Sequence, residues 1–131
     1  MKNIIASFAF LGLFIGSTCA QEMPRQSQMA RVEQRVGLTD LKVEYSRPNV
    51  NKREVFGGVV PYGEVWRLGA NESTKFTTSS DIVFGKGVLK AGTYAMFGTA
   101  NSDGTFVLDF NSDSDQWGSN KYDKKKNVLT H

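Results

Sequence analysis

The chain has 131 residues, of which 22% are charged and 40% hydrophobic, and its formal net charge is +3. This length predicts one domain, and the composition excludes a disordered or fibrous protein. The small charge gives no broad basic surface for nucleic acid. The one lysine run, at 124–126, is typical of a solvated turn, so we expect no nucleic-acid partner.

The N-terminal segment has the pattern of a secretory leader. Lys2 gives a positive start, residues 4–16 are apolar or small, and the Thr-Cys-Ala sequence at 18–20 supplies the small residues of a cleavage site. The apolar run is shorter than the roughly 20 residues that a membrane-spanning helix needs. We therefore predict a signal peptide over residues 1–20 with cleavage after Ala20. This predicts a periplasmic or secreted protein of the bacterial cell envelope, with no transmembrane segment after removal of the leader.

Cysteine and histidine are too scarce for the commonest catalytic and metal sites. Cys19 is the only cysteine and His131, the last residue, the only histidine. Lipid attachment at Cys19 is a less favoured alternative, because residues 16–18 lack the leucine that usually precedes such a site. A mature chain without cysteine excludes disulfides and thiolate chemistry, and a terminal histidine is a poor base or zinc ligand. We expect no metal and no cofactor.

The pattern after the polar, exposed lead-in of residues 21–29 favours β structure over a single domain from 30 to 131. Val32, Gln34 and Val36 alternate with charged residues, and the same period of two continues over 41–46. The GLTD sequence at 37–40 and Asp103-Gly104 each predict a hairpin turn. The predicted strands are 31–36, 41–46, 64–68, 74–78, 81–84, 88–89, 93–99 and 105–111, with a last one beginning at 127–129.

These short strands predict an all-β domain, an antiparallel β-sandwich or a related barrel, of which we favour the sandwich. Glycine and proline punctuate residues 47–63, which indicates a long ordered loop, with one helical turn around 53–56. A strand that starts at residue 127 has little room before His131. We therefore expect that the C-terminal part of the domain is missing from this sequence and that the chain is a fragment of a longer protein.

Four segments together resemble one family: EYSRP (44–48), FGGVVPYGEVWRLGANE (56–72), KAGTYAMF (90–97) and DQWG with YD (115–123). The chain resembles the DUF2911 family, a domain of unknown function found chiefly in exported proteins of Bacteroidetes. The similarity runs from about Pro24 to Val128. It implies a β-rich envelope domain, and it brings no catalytic residue, ligand or partner.

Planar cations, an amide, a carboxylate and aromatic rings are concentrated between residues 47 and 72. They could form a pocket in which guanidinium groups bind a carboxylate, phosphate or sugar hydroxyl and an aromatic ring stacks on the ligand. The alternative is structural, with Arg67 and Glu72 paired and the aromatic residues in the core. The candidate site residues are Arg47, Arg53, Tyr62, Trp66, Arg67, Asn71 and Glu72.

The favoured function is a non-enzymatic binding or interaction module whose partner is a small molecule, a glycan or an envelope protein. One alternative is a small hydrolase or lyase that uses Glu64 or Glu72 with Arg47 and Arg67. Another is a structural module that pairs with a partner through its edge strands. The sequence leaves the identity of the ligand open.

Overall fold

The computed structural model describes residues 23–131, so the predicted leader lies outside the described residues. The described chain is built from strands and one short 3-10 turn, which confirms the all-β prediction. The strands are β1 (Gln28–Val36), β2 (Thr39–Arg47), β3 (Val65–Trp66), β4 (Ala70–Thr78), β5 (Ile82–Phe84), β6 (Gly87–Leu89), β7 (Gly92–Ala100), β8 (Phe106–Asn111) and β9 (Asn127–Thr130).

The strands form a large sheet and a small one, both antiparallel. The large sheet has seven strands in the order β1-β2-β4-β7-β8-β9, and short β3 pairs with β7 beyond the end of the β4 pairing. The small sheet is the β5-β6 hairpin. This is an open, sandwich-like arrangement, because the hairpin is much narrower than the sheet on which it packs.

The hairpin closes the main hydrophobic core against one face of the large sheet. Phe110 is fully buried there and makes edge-to-face contacts with two rings. Its ring centroid lies 5.5 Å from that of Phe76 and 5.1 Å from that of Phe84 of the hairpin. Leu89, 1% exposed, and Tyr94 complete the buried cluster. Burial of side chains of this size stabilises the fold by about 1.5 to 3 kcal/mol each, which holds the hairpin on the sheet.

The opposite face of the large sheet is covered by the segment between β8 and β9. Phe97 is fully buried and packs against the ring of Tyr122, with centroids 4.9 Å apart. The Tyr122 hydroxyl donates to Asp109 Oδ2 at 2.7 Å and accepts from Asn127 Nδ2 at 2.8 Å. Thr130 also donates to the buried Asp109 carboxylate. A polar network therefore fixes this covering segment to the sheet.

The two predicted hairpin turns are confirmed. Gly37 has φ 61° between β1 and β2, and Gly104 has φ 86° between β7 and β8, where its N–H donates to the Asn101 carbonyl oxygen at 3.1 Å. Glycine adopts this left-handed backbone without the steric cost that a Cβ would add. The glycines in the sequence therefore predicted correctly where these two pairs of strands are joined by a hairpin turn.

Other boundaries differ from the sequence-based prediction. β1 begins inside the expected lead-in, and β4 begins four residues before the expected start at 74 because its first half pairs with Ser46 and with Trp117. The helical turn expected at 53–56 is wrong, since that stretch is a non-helical loop held by a Phe56–Val60 bridge. The last strand pairs with β8 over its length. Within residues 23–131, no helix has the length and apolar character to cross a membrane.

Candidate binding groove

The loop that follows β2 folds back on itself and forms one wall of a groove. Arg53 donates from Nε to the Val50 carbonyl oxygen at 3.0 Å and from Nη2 to that of Asn49 at 2.6 Å. Gly57 N–H donates to the carbonyl oxygen of Val60, which is only 3% exposed. Arg53 therefore satisfies loop carbonyls, and Val60 anchors the loop in the interior.

The segment between β3 and β4 forms the facing wall. The indole N–H of Trp66 donates to the Gly69 carbonyl oxygen at 3.3 Å. A Cβ at residue 69 would lie 2.8 Å from the Ser46 carbonyl oxygen, so glycine permits the close approach to β2. Leu68 has φ 59°, an uncommon conformation for a bulky residue, and its carbonyl oxygen is held by the Thr74 hydroxyl at 3.2 Å. Strain of this kind clusters at ligand sites.

Between these walls lies a groove of about 550 Å³. Its described lining is apolar near the interior, polar at the rim and free of acidic residues, and its two charged members are Arg53 and Arg67. The rim includes Gln26 and Ser27 from the lead-in, which the sequence interpretation did not assign to the site. The lining residues are Gln26, Ser27, Pro48, Asn49, Val50, Asn51, Arg53, Val55, Val59, Val60, Trp66, Arg67, Gly69 and Ala70.

Arg67 is the groove arginine whose side chain makes no hydrogen bond within residues 23–131. Its Nε is buried and has no hydrogen-bond partner among the described residues. The guanidinium stays protonated in proteins, and a buried charged donor without an acceptor costs more than the about 1 to 3 kcal/mol of a neutral one. Arg53 differs, because its Nε and Nη2 already bond to the loop. Because Arg67 lines the groove, its guanidinium charge can pair with an anion there.

Arg47 lies beside the groove. It is exposed and lines an adjoining depression of about 490 Å³, which shares Gln26, Pro48 and Asn49 with the groove. The Arg47 side chain has no hydrogen bond or ion pair within residues 23–131. Arg53 and Arg67 therefore line the groove and Arg47 lines the depression next to it, a concentration of positive charge that favours an anionic ligand.

Glu72 and Asn71 lie outside the groove lining and hold the lead-in segment by hydrogen bonds. Glu72 Oε1 accepts from Arg25 Nη1 at 2.6 Å, and this hydrogen bond is the largest cause that holds the Glu72 pKa below its ordinary value of 4.5. Asn71 Nδ2 donates to the Ser27 carbonyl oxygen at 3.2 Å. The predicted Arg67–Glu72 pair is wrong, since Glu72 pairs with Arg25 and lines a separate cavity of about 100 Å³.

The remaining candidates divide between the groove and the surface near it. Trp66 is half-buried, lines the groove and meets Phe56 edge to face at 6.4 Å. Tyr62 is 49% exposed and its ring covers Gly57, where a Cβ would lie 2.9 Å from the ring. Glu64 is exposed in the turn before β3. The aromatic surface available to a ligand in the groove is therefore that of Trp66.

Metal chemistry finds no support in the described part of the chain, where no group of three or more histidine, cysteine, aspartate or glutamate side chains is placed to hold an ion. The carboxylates near the end of β8 are engaged by protein groups. Asp113 accepts from Lys126 Nζ at 2.6 Å, and Asp115 pairs with Lys75. The groove itself contains amides, carbonyls and guanidinium groups, which suit recognition of an anion.

Fold and site together define a β-sandwich-like domain with a basic, partly apolar groove. The DUF2911 model, described as a protein of unknown function, matches residues 27–131, and the chain belongs to this family. The match confirms the resemblance seen in the sequence. No curated protein and no solved structure matches the chain.

Proposed function

We propose that this chain is an exported envelope protein, periplasmic or secreted, that binds an organic anion in the groove without transforming it. The observation that carries the proposal is Arg67, which lines the groove and whose buried Nε has no acceptor within residues 23–131, in a described lining without acidic residues. The volume of about 550 Å³ falls in the range of about 300 to 1,000 Å³ typical of small-molecule sites. Export rests on the leader pattern of residues 1–20.

The chemistry of the lining favours a ligand with a carboxylate at one end and an apolar or sugar-ring body. Of the two arginines in the groove, Arg67 makes no side-chain hydrogen bond within residues 23–131, and a planar guanidinium binds a carboxylate through two parallel hydrogen bonds. Val55, Val59 and Trp66 offer apolar contact beside it. Gln26 and Asn49 at the rim can hydrogen-bond to hydroxyl groups. An acidic sugar combines these features.

A hydrolase or lyase is less well supported by the same geometry. Glu72 is engaged by Arg25 and its lowered pKa keeps it ionised at neutral pH, which is unfavourable for a general acid. It also lines a different cavity from Arg67, so the two do not face one ligand. Binding without catalysis therefore accounts for the arginines better than an acid–arginine active site does.

The test compares acidic sugars with their neutral parents. We expect glucuronate and galacturonate to raise the melting temperature and to give heat in titration calorimetry, whereas glucose and galactose do not. Arg67→Gln removes a charge-assisted pair worth about 1.5 to 3 kcal/mol, which corresponds to about 10- to 100-fold weaker binding. Arg67→Lys should fall between the two, since it keeps the charge and loses the planar fork.

Arg35→Gln is the matched control, because Arg35 is exposed, pairs with Asp40 and is remote from the groove lining. Binding should weaken as salt rises, as for any contact between opposite charges that water reaches. Equal binding by Arg67→Gln and the wild type would refute the assigned role of Arg67. Binding of neither acidic sugar would refute this ligand class.

A further inference from the structure

One edge of the large sheet is a long strand without a neighbour in the described chain. β1 has nine residues, and every one of them pairs with β2 in an unbroken register. Its other side is the outer edge of the sheet order. The unused N–H and C=O groups of such an edge can pair with another strand.

The opposite edge carries the features that usually prevent such pairing. β9 has four residues, follows the lysine run at 124–126, and its pairing with β8 shifts register at Phe110/Asn111. β1 contains no lysine, proline or glycine, and its register has no bulge. Natural edge strands are generally blunted by short length, charged side chains (especially lysine), proline or bulges, and of these β1 carries only charged side chains, which alternate in sign. β1 is therefore the edge that is left open for a partner.

The exposed side chains of β1 differ between its two faces. Val32 and Val36, 54% and 59% exposed, lie on the face that carries the main core, since Val32 is opposite Val43 and Val43 is opposite Phe76. The other face carries Arg31, Glu33 and Arg35. Arg31 Nε lies 3.0 Å from Glu33 Oε1 within the strand.

The order of charges makes β1 complementary to itself. When two copies run antiparallel about a two-fold axis at Val32, Arg31 of each copy lies opposite Glu33 of the other, and all nine residues overlap. A two-fold axis one residue earlier places Arg31 opposite Arg31, and one residue later places Glu33 opposite Glu33. Like charges directly opposite each other are destabilising, and opposite charges are stabilising.

A shorter register centred on Gln34 also pairs Glu33 with Arg35. Arg35 is held by both oxygens of Asp40 at 2.7 Å, more closely than Arg31 is held by Glu33 at 3.0 Å and by Glu44 at 3.6 Å. That register would overlap only residues 32–36. The register centred on Val32 therefore uses the whole strand, leaves the Arg35–Asp40 pair intact and brings two exposed valines into contact.

We propose that two copies of this chain form a symmetric dimer in which their β1 strands pair antiparallel about Val32, so that the two large sheets become one continuous sheet. The occupant of the edge is a second copy because both the charge order and the apolar centre of β1 match their own reverse. None of the residues that line the groove belongs to β1. The proposal is thus independent of the ligand.

Charge reversal tests the register directly. The purified protein should have the mass of two chains by light scattering, whereas Glu33→Arg alone and Arg31→Glu alone should each have the mass of one. Mixing these two variants should restore the two-chain mass, because every opposed pair in the mixed dimer is again of opposite sign. A one-chain mass for the wild type at a protein concentration about 100-fold above a micromolar Kd would overturn the proposal.

A second pair of variants controls for the case in which the charge-reversal variants are monomeric because they misfold. Val32→Lys puts like charges at the axis and should give one chain, whereas Val88→Lys should leave two. Val88 is the matched control, since it is also a 54% exposed strand valine but lies on the β6 hairpin strand. Circular dichroism should show both variants folded. A two-chain mass for Val32→Lys, or failure of the charge-reversed pair to form a mixed dimer, would contradict pairing about Val32.

Discussion

Substitution of Tyr122 by phenylalanine should reveal how firmly the segment after β8 is tied to the sheet. The change keeps the ring that packs on Phe97 and removes the hydroxyl. That hydroxyl donates to Asp109 Oδ2 at 2.7 Å and accepts from Asn127 Nδ2 at 2.8 Å. A hydrogen bond to a charged group contributes about 1.5 to 3 kcal/mol and a neutral one about 0.5 to 1.5, so the free energy of unfolding should fall by about 2 to 4.5 kcal/mol.

Two other tyrosines provide a graded control in urea denaturation. The Tyr94 hydroxyl makes one neutral hydrogen bond, to the Lys90 carbonyl oxygen at 3.0 Å, so Tyr94→Phe should cost about 0.5 to 1.5 kcal/mol. Tyr62 is 49% exposed and its hydroxyl has no partner within residues 23–131, so Tyr62→Phe should change stability by less than about 0.5 kcal/mol. The expected order of cost is Tyr122, then Tyr94, then Tyr62.

The alkaline pH dependence supplies a second measurement on the same residue. Burial, followed by the hydrogen bond to Asp109, raises the Tyr122 pKa above its ordinary value of 10.0. Because the neutral phenol is favoured in the folded state, this stabilisation is complete below pH 10 and is lost as pH rises through the folded pKa. The stability difference between the wild type and Tyr122→Phe should therefore shrink at high pH. A cost no larger than that of Tyr94→Phe, or a difference independent of alkaline pH, would refute the network.

Two further predictions concern the pairing of Glu72 and the N-terminus. A double-mutant cycle of Arg25→Ala with Glu72→Gln should give a coupling of about 0.2 to 1 kcal/mol, since the pair is exposed to solvent, and the cycle of Arg67→Ala with Glu72→Gln should give less than about 0.3 to 0.5 kcal/mol. A larger coupling for Arg67 would contradict the observed pairing. The intact mass of protein from the envelope fraction should correspond to a chain that begins at Gln21, and a mass that retains residues 1–20, or acyl groups on Cys19, would count against the predicted leader.

The sequence determined the strands and several of their connections because these depend on local chemistry. A period of two in apolar residues separated the faces of β1 and β2, and Gly37 and Gly104 marked turns that require a left-handed backbone. The same local information failed at residues 53–56, where the loop is held by the Phe56–Val60 bridge and by hydrogen bonds from the Arg53 side chain to the carbonyl oxygens of Val50 and Asn49.

The sequence also identified the arginines of the groove and of the depression beside it, since Arg47, Arg53 and Arg67 stood out as a concentration of planar cations. Proximity along the chain suggested that Arg67 pairs with Glu72. Only the tertiary structure could assign Glu72 to Arg25, because the two residues are 47 positions apart in the chain. With Glu72 paired to Arg25, the Arg67 Nε has no acceptor among residues 23–131. Residue types therefore indicated the chemistry of the site, whereas long-range packing decided which of its charges remains available to a ligand.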